Sequence, residues 1–372
     1  MKHKLFSVFL SLCFFQLSFV LEVSAQSEKV DAYIESEMRR QNIPGLSLAV
    51  VQEGKVIKAK GYGLANVETN VRVTTETVFK IGSVSKPMIA EGIMLLVEEG
   101  KISLDGKIST YLEGTPESWK DNTVRNFLAH SSGIIREAPG FDPAKSQPDA
   151  DVIKTAYDAP LRFAPGEKYE YCNVCYFSLA EIIRKVSGKA WGDFLAERIF
   201  RPAGMSATRT TTFSEIVPNR ANAYSFQDGK LQNAEVYLAL RPSGAFLSTV
   251  SDLANWEATL YSSKTLKPYT RALMWTPFKF NNGTHSVYGL GWQIDEVKGK
   301  KRIHHGGNLN GFKSEFARFV DDKITVIVLT NLNEANPAAI SIGVAGLYMP
   351  ALAKSSAQTV GERPKARAVQ RR

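Results

Sequence analysis

A chain of 372 residues, 44% hydrophobic and 22% charged, has ample length for a large buried core and excludes a disordered or fibrous protein. Its formal charge of +9 is uneven: Lys354, Arg363, Lys365, Arg367, Arg371 and Arg372 against Glu362 give the segment 354–372 a net +5, and Lys2 and Lys4 against Glu22 give 1–25 a net +1. Only +3 remains on Gln26–Ala353, which excludes a strongly basic nucleic-acid-binding body.

The elements follow in chain order. Lys2 and Lys4, then the apolar run "LFSVFLSLCFFQLSFVL", then "VSA" at Val23–Ala25 form the charged, apolar, small-residue order of a secretory signal peptide, with cleavage expected after Ala25. Leu12 is too bulky to precede a lipidated Cys13, so a lipid anchor is not expected, and an uncleaved anchor is the alternative. "GLSLAVVQEGKVIKAKGYG" reads as a hairpin around Glu53–Gly54. Val78–Gly100 reads as one amphipathic helix ending at Gly100. Short helices follow in "LDGKISTYL" and "TVRNFLAHSSG", a longer one over about Ser178 to Ser187 stops at Gly188, and "AWGDFLAERIF" is closed by "RPAGM". From Tyr288 the pattern turns to strands: "YGLGWQIDEV", "KRIHH", "FKSEFARFV" and "KITVIVLTN". "PAAISIGVAGLYMPALA" then forms a closing helix, and the tail 354–372, poor in apolar residues, is expected to be disordered. This order fits an antiparallel sheet built from both chain ends, flanked by helices, with an α-helical lobe inserted over roughly 105–225: an α/β, or more strictly α+β, fold.

Three short motifs carry chemistry. Ser83 and Lys86 stand three apart, on one face if the segment is helical, and an amine held in a dry site gives up its proton readily, so the pair reads as an activated nucleophile. The plainer alternative is a helix-capping Ser beside a solvated Lys. "YCN", Tyr171–Asn173, follows the turn at Pro165–Gly166, and "HHGGNLNGF", His304–Phe312, is read between two strands. Either could be an ordinary loop. S-x-x-K and Y-x-N each occur once in the chain.

In this order the motifs resemble those of the serine β-lactamase and penicillin-binding protein superfamily, in the branch of class C β-lactamases, D-alanyl-D-alanine carboxypeptidases and esterases. "FLAHSSGI", "FAPGEKYEYCN", "RPAGM", "SGAFLSTVSDLANW", "YGLGW" and "NGF" look like further landmarks, and the resemblance runs from about Val30 to Asn331. It implies a β-lactamase/transpeptidase-like fold and a serine hydrolase that needs no metal or organic cofactor. Ser83 would be the nucleophile of an acyl-enzyme, with Lys86 and Tyr171 sharing the proton work and neither singled out as the base. Asn173 would orient Lys86 or a substrate carbonyl. The oxyanion hole would be the backbone N–H groups of Ser83 and Asn308, and His305 would polarise Tyr171 or hold a substrate carboxylate. Gly306 and Gly307 would let substrate approach the strand.

Two departures stand out. Cys172 and Cys175 occupy positions where small residues are usual, either free or bridged, and Gly306 lacks the hydroxyl of K-T-G members. A thioredoxin-like role for C-x-x-C is disfavoured, because the context does not read as a strand end opening a helix. His130 reads as structural, and His304 and His305, on opposite faces of a strand, are a poor metal pair. The expected protein is therefore an exported hydrolase, periplasmic or extracellular, cleaving a small ester or a D-amino-acid peptide. The alternatives are a β-lactamase or a penicillin-binding protein with little turnover. Its partners would be a small-molecule or peptide substrate, cell-wall peptide among the candidates, and no nucleic acid; contact of the basic tail with a membrane or wall polymer is a secondary reading.

Overall fold

The computed structural model describes residues 26–142, 145, 147–210, 215–234, 244, 246–262 and 264–353. The expected signal peptide, the basic tail, and Ser243 and Ala245 of one landmark lie outside these residues. The chain opens with a helix, α1, over residues 26–41, for which no element was assigned from sequence. The hairpin β1 (Gly45–Gln52) and β2 (Lys55–Asn66) follows as expected, joined by Glu53 and Gly54, both at positive φ. A short strand, β3 (Val71–Arg72), lies beyond β2. At the other end of the chain come β4 (Gln293–Val297), β5 (Lys300–Leu309), β6 (Phe312–Phe319) and β7 (Ile324–Thr330).

The seven strands form one antiparallel sheet in the order β3-β2-β1-β7-β6-β5-β4, so the two chain ends meet where β1 pairs with β7, with Leu48 opposite Val328. β1 and β7 are buried almost throughout because the sheet is covered on both faces. Alternate residues of one strand therefore enter different cores. Leu46, Leu48 and Val50 face a core shared with Val30 and Ile34 of α1 and with Ile340 and Val344 of the helix Pro337–Tyr348. Ala49 and Val51 face the larger core shared with the helical lobe. The closing helix stops at Tyr348, and Pro350–Ala353 forms a separate turn of helix: proline at 350 cannot donate an N–H to continue the first.

The stretch Val78–Gly100 differs from its sequence reading. Phe79–Lys80 is a strand paired with Leu247–Ser248, Gly82–Val84 is a single 3₁₀ turn, and only Ser85–Glu98, α2, is α-helical. Nor is α2 amphipathic: Ser85 to Leu96 are all buried. It is a central helix, wrapped by the lobe and the sheet, so polar residues on its far side meet protein instead of water. The long lobe helix, α3 (Asn173–Ser187), begins five residues earlier than its apolar pattern suggested and ends, as expected, at Gly188 in the left-handed conformation.

Candidate active site

The turn before α2 sets the position of Ser83. Gly82 takes a φ of +55°, and a Cβ there would lie 2.8 Å from the backbone nitrogen of Asn308. The absence of a side chain thus lets the turn rest on β5. Neither helical segment is capped by Ser83: their N-cap residues are Ile81 and Val84, and neither makes a side-chain cap bond. Ser83 is the one partly exposed residue between Val78 and Leu96.

Lys86 is fully buried, and its Nζ donates to Ser83 Oγ at 3.2 Å and to Asn173 Oδ1 at 2.8 Å. It also lies 4.7 Å from the ring centre of Tyr171 and 5.4 Å from that of Tyr176. Burial holds the Tyr171 phenol well above its usual range, although the interaction of its hydroxyl with Ser83 opposes the shift. The sequence-derived Ser83, Lys86, Tyr171 and Asn173 thus converge on one point from two elements, the start of α2 and the start of α3.

What aims Tyr171 and Asn173 lies behind them. Cys172 is the N-cap of α3, and its Sγ accepts the N–H of Cys175. Its own N–H donates to Nδ1 of His130 at 3.0 Å, and the backbone N–H of Asn173 donates to the Arg136 carbonyl at 2.8 Å. The C-x-x-C therefore does open a helix, contrary to the sequence reading, but both sulfurs are buried and joined as a disulfide. His130 stacks on Tyr171 with ring centres 4.3 Å apart, and burial, reinforced by Lys86, depresses its pKa well below the usual value.

The third motif lies in β5 rather than between strands: His304 to Leu309 are paired with β6, and Asn310–Gly311 make a two-residue turn. Residues flanking such a turn form a hydrogen-bonded pair and the next pair does not, so the N–H of Asn308 is directed away from β6, toward Gly82. Gly307 faces inward, where a Cβ would overlap the Ile81 carbonyl oxygen and Ser314 Oγ. Its bareness therefore serves the packing of β5 on the Ser83 turn. Gly306 faces the other way, and a Cβ there would come 3.0 Å from Glu315 Oε2.

His305 is buried, accepts the Tyr288 hydroxyl at Nε2 at 2.9 Å and donates from Nδ1 to its neighbour's carbonyl at 2.8 Å. Burial and the nearby Lys86 pull its pKa down to about 3, so it is uncharged at neutral pH. Its ring centre is 6.3 Å from that of Tyr171, a layer behind the phenol. His304, on the opposite face, bonds Glu315 at 2.8 Å and Asp295 at 3.4 Å; burial lowers its pKa, but these partners outweigh burial and raise it. Among the described residues no group of three or more His, Cys, Asp or Glu could hold a metal, and no helix is long and apolar enough to cross a membrane.

Residues that the motif reading missed complete the surroundings. Glu137 Oε1 accepts from Asn173 Nδ2 at 2.6 Å, turning the amide oxygen toward Lys86. The exposed Arg136 lies over the Tyr171 ring at 5.0 Å. Tyr288 was visible only as the first letter of the "YGLGW" landmark, His130 was named but read as structural, and nothing in the sequence marked Arg136 or Glu137.

A model of the Beta-lactamase family matches residues 30–345. Penicillin-binding protein 4* of Bacillus subtilis is 29% identical over 310 residues, 77% of this chain and 68% of that protein. A D-aminopeptidase of Brucella ovis is 26% identical over 343 residues, covering 86% of this chain but only 63% of its own length. The octameric penicillin-binding protein homologue from Pyrococcus abyssi superposes with a TM-score of 0.77 at 27% identity, covering 87% of this chain and 77% of that one. With the match spanning most of the chain, this protein belongs to the Beta-lactamase family and is a serine hydrolase of the serine β-lactamase and penicillin-binding protein superfamily.

Proposed function

We propose that the protein cleaves an ester or amide bond, in a small ester or a peptide beginning with a D-amino acid, through an acyl-enzyme on Ser83. The carrying observation is the convergence of Lys86 Nζ and the Tyr171 hydroxyl on Ser83, with Asn173 holding Lys86 from the other side. The Ser83 proton passes to the Lys86–Tyr171 pair while Oγ bonds to the substrate carbonyl carbon. The Tyr171 phenol, kept protonated by burial, gives its proton to the departing nitrogen or oxygen and is recharged from Lys86. Water then repeats the sequence to release the acid. The N–H groups of Ser83 and Asn308 receive the oxyanion; loss of one such donor typically costs about 100- to 1000-fold.

Two features support the choice of substrate class. The similarity to D-aminopeptidases is one. The other is the exposed Glu137 carboxylate at the rim, bonded to Asn173 and paired with Arg136 at 3.6 Å, where an incoming α-ammonium would share it with Arg136. The β-lactamase alternative is disfavoured by His305, which is uncharged and occupied at both ring nitrogens, and so presents no cation to the carboxylate of a β-lactam.

The test is a panel of D- and L-aminoacyl amides, small activated esters and a chromogenic cephalosporin, run with wild type and Ser83→Ala. D-aminoacyl amide or ester turnover that disappears in Ser83→Ala supports the reading. Full fluorophosphonate labelling of Ser83→Ala, or a cephalosporin kcat/KM above about 10⁶ M⁻¹s⁻¹, high in the usual enzyme range, would overturn it. Export to the periplasm or beyond is proposed on the Met1–Ala25 pattern, and a mature N-terminus at Gln26 in exported protein is its check.

A further inference from the structure

The segment that presents Tyr171 and Asn173 is clasped by a covalent bond as well as by hydrogen bonds. Cys172, between these two residues, is bridged to Cys175 in the first turn of α3. Both cysteines are 0% exposed, with Ser132 Oγ 3.1 Å from one sulfur and the Ile135 carbonyl 3.7 Å from the other. Tyr171 precedes the helix, so no helical hydrogen bond fixes it. Its direction is set by its ring contacts with His130, Lys86 and Arg136, by the backbone bonds of Glu170 and Asn173 on either side, and by what holds Cys172, namely the bond to His130 and the bridge to Cys175.

We infer that the Cys172–Cys175 disulfide is a positioning element for hydrolysis, needed to keep Tyr171 and Asn173 on Ser83 and Lys86, and that the protein is fully active only when oxidised. Three considerations carry this. First, the bridge closes a ring of four residues that contains Asn173, so it fixes the backbone at the site itself. Second, so small a ring removes little freedom from the unfolded chain, which makes the bridge a weak global staple and points to a local role. Third, Val174 and Tyr176 to Ile183 are all buried against the core, so the rest of α3 keeps its place when the bridge opens. The helix cap rests on sulfur, a weak acceptor in either redox state, so what reduction removes is the covalent tie, and the Cys172 side chain regains its rotamers. A misplacement on the scale of 1 Å suffices to cost about 100-fold in rate.

Reduction by a dithiol balances simply. The dithiol gives two electrons and two protons, the S–S bond breaks, two S–H groups form, and the dithiol closes to its own cyclic disulfide. Because the sulfurs are buried, attack waits on local opening at the start of α3, so the test needs a long incubation in excess dithiothreitol.

The inference rests on the proposed role of Tyr171, and the experiment separates the two. Alkylation and peptide mass analysis count free thiols at Cys172 and Cys175 before and after dithiothreitol. Fluorophosphonate labelling of Ser83 reads the site, and amide exchange in peptides covering residues 168–178 reads the segment without relying on Ser83. The expected result is blocked cysteines in untreated protein. After reduction, labelling should slow about 10- to 100-fold and exchange in 168–178 rise, while Tm stays within about 5 °C. Cys172→Ala/Cys175→Ala should label at the reduced rate and ignore dithiothreitol. Alkylatable cysteines in untreated folded protein, or unchanged labelling and exchange after verified reduction, would overturn the inference. If oxidised wild type is not labelled at all, the role of Ser83 falls, and the exchange result alone decides the role of the bridge.

Discussion

Nδ1 of His130 accepts the backbone N–H of Cys172, so an uncharged imidazole sets the position of the residue between Tyr171 and Asn173. The first prediction follows from this bond. His130→Ala leaves a buried N–H without its acceptor, a loss of about 1–3 kcal/mol, and frees the ring of Tyr171 on one side. Denaturant unfolding should show that loss, and kcat on an activated ester should fall more than KM changes. An unaltered kcat with lowered stability would reduce His130 to a purely structural residue.

His130 and His305 also set a pH dependence. Both imidazoles fold with pKa values below 6.5, His305 at about 3, so the unfolded chain binds protons before the native one. The stability they contribute is complete above about 6.5 and is lost as pH falls toward 3, by up to about 1.4 kcal/mol per pH unit for each histidine. His304, with its raised pKa, acts oppositely: its contribution is full below 6.5 and fades as pH rises through the folded value. Urea unfolding between pH 4 and pH 7 should therefore show a falling acid limb that His305→Gln makes shallower. An equally steep limb in that variant would contradict the assignment.

Lys86 and Tyr171 both contact the Ser83 hydroxyl and so are expected to act as one unit. Lys86→Ala and Tyr171→Phe should each lower kcat/KM at least about 100-fold, and the double variant should be little worse than the poorer single one. Full activity in Tyr171→Phe, which deletes one oxygen, would remove the phenol from the mechanism.

The two glycines of the third motif should respond unequally. Gly307→Ala drives a methyl into Ile81 and Ser314, so it should cost about 1–3 kcal/mol of stability and displace Asn308 from Ser83, with a large loss of kcat. Gly306→Ala presses on Glu315 Oε2 at 3.0 Å and otherwise makes an ordinary contact with the Ser314 carbonyl at 3.7 Å, so it should be mild on both measures. Equal effects of the two substitutions would refute this reading of the strand.

At the rim, Glu137→Gln keeps an acceptor for Asn173 and removes the charge. KM for a D-aminoacyl amide should rise about 10-fold, as expected for one charged hydrogen bond, while turnover of an uncharged activated ester stays near wild type. Parallel losses on both substrates would assign Glu137 to holding Asn173 instead.

The β1–β2 hairpin and the sheet from both chain ends were legible because local turn residues and apolar runs determine them. The start of α2 was not. Val78 to Ile81 continue an apolar pattern that suits either structure, and only pairing with the distant Leu247–Ser248 makes Phe79–Lys80 a strand. In the site, Ser83 with Lys86 and Tyr171 with Asn173 could be named because each is a short motif, ambiguous alone, that resembles the superfamily's in kind and order. Glu137 escaped notice because it reaches Asn173 across 36 residues, and its neighbours form no pattern. His305 was named, but its partner Tyr288, and hence its lack of charge, depends on packing that no spacing reveals.

The burial of α2 on every side has an evolutionary reading. Lys86 is carried by, and Ser83 stands in the turn just before, a helix whose residues from Ser85 to Leu96 are interior, so drift in that helix is penalised through folding before it can explore new chemistry. Arg136 and Glu137 stand in water at the rim, where substitutions cost little stability. Lineages sharing this helix are therefore free to exchange substrates by altering the rim while their reaction stays the same, and laboratory selection for a new substrate should accumulate its changes there.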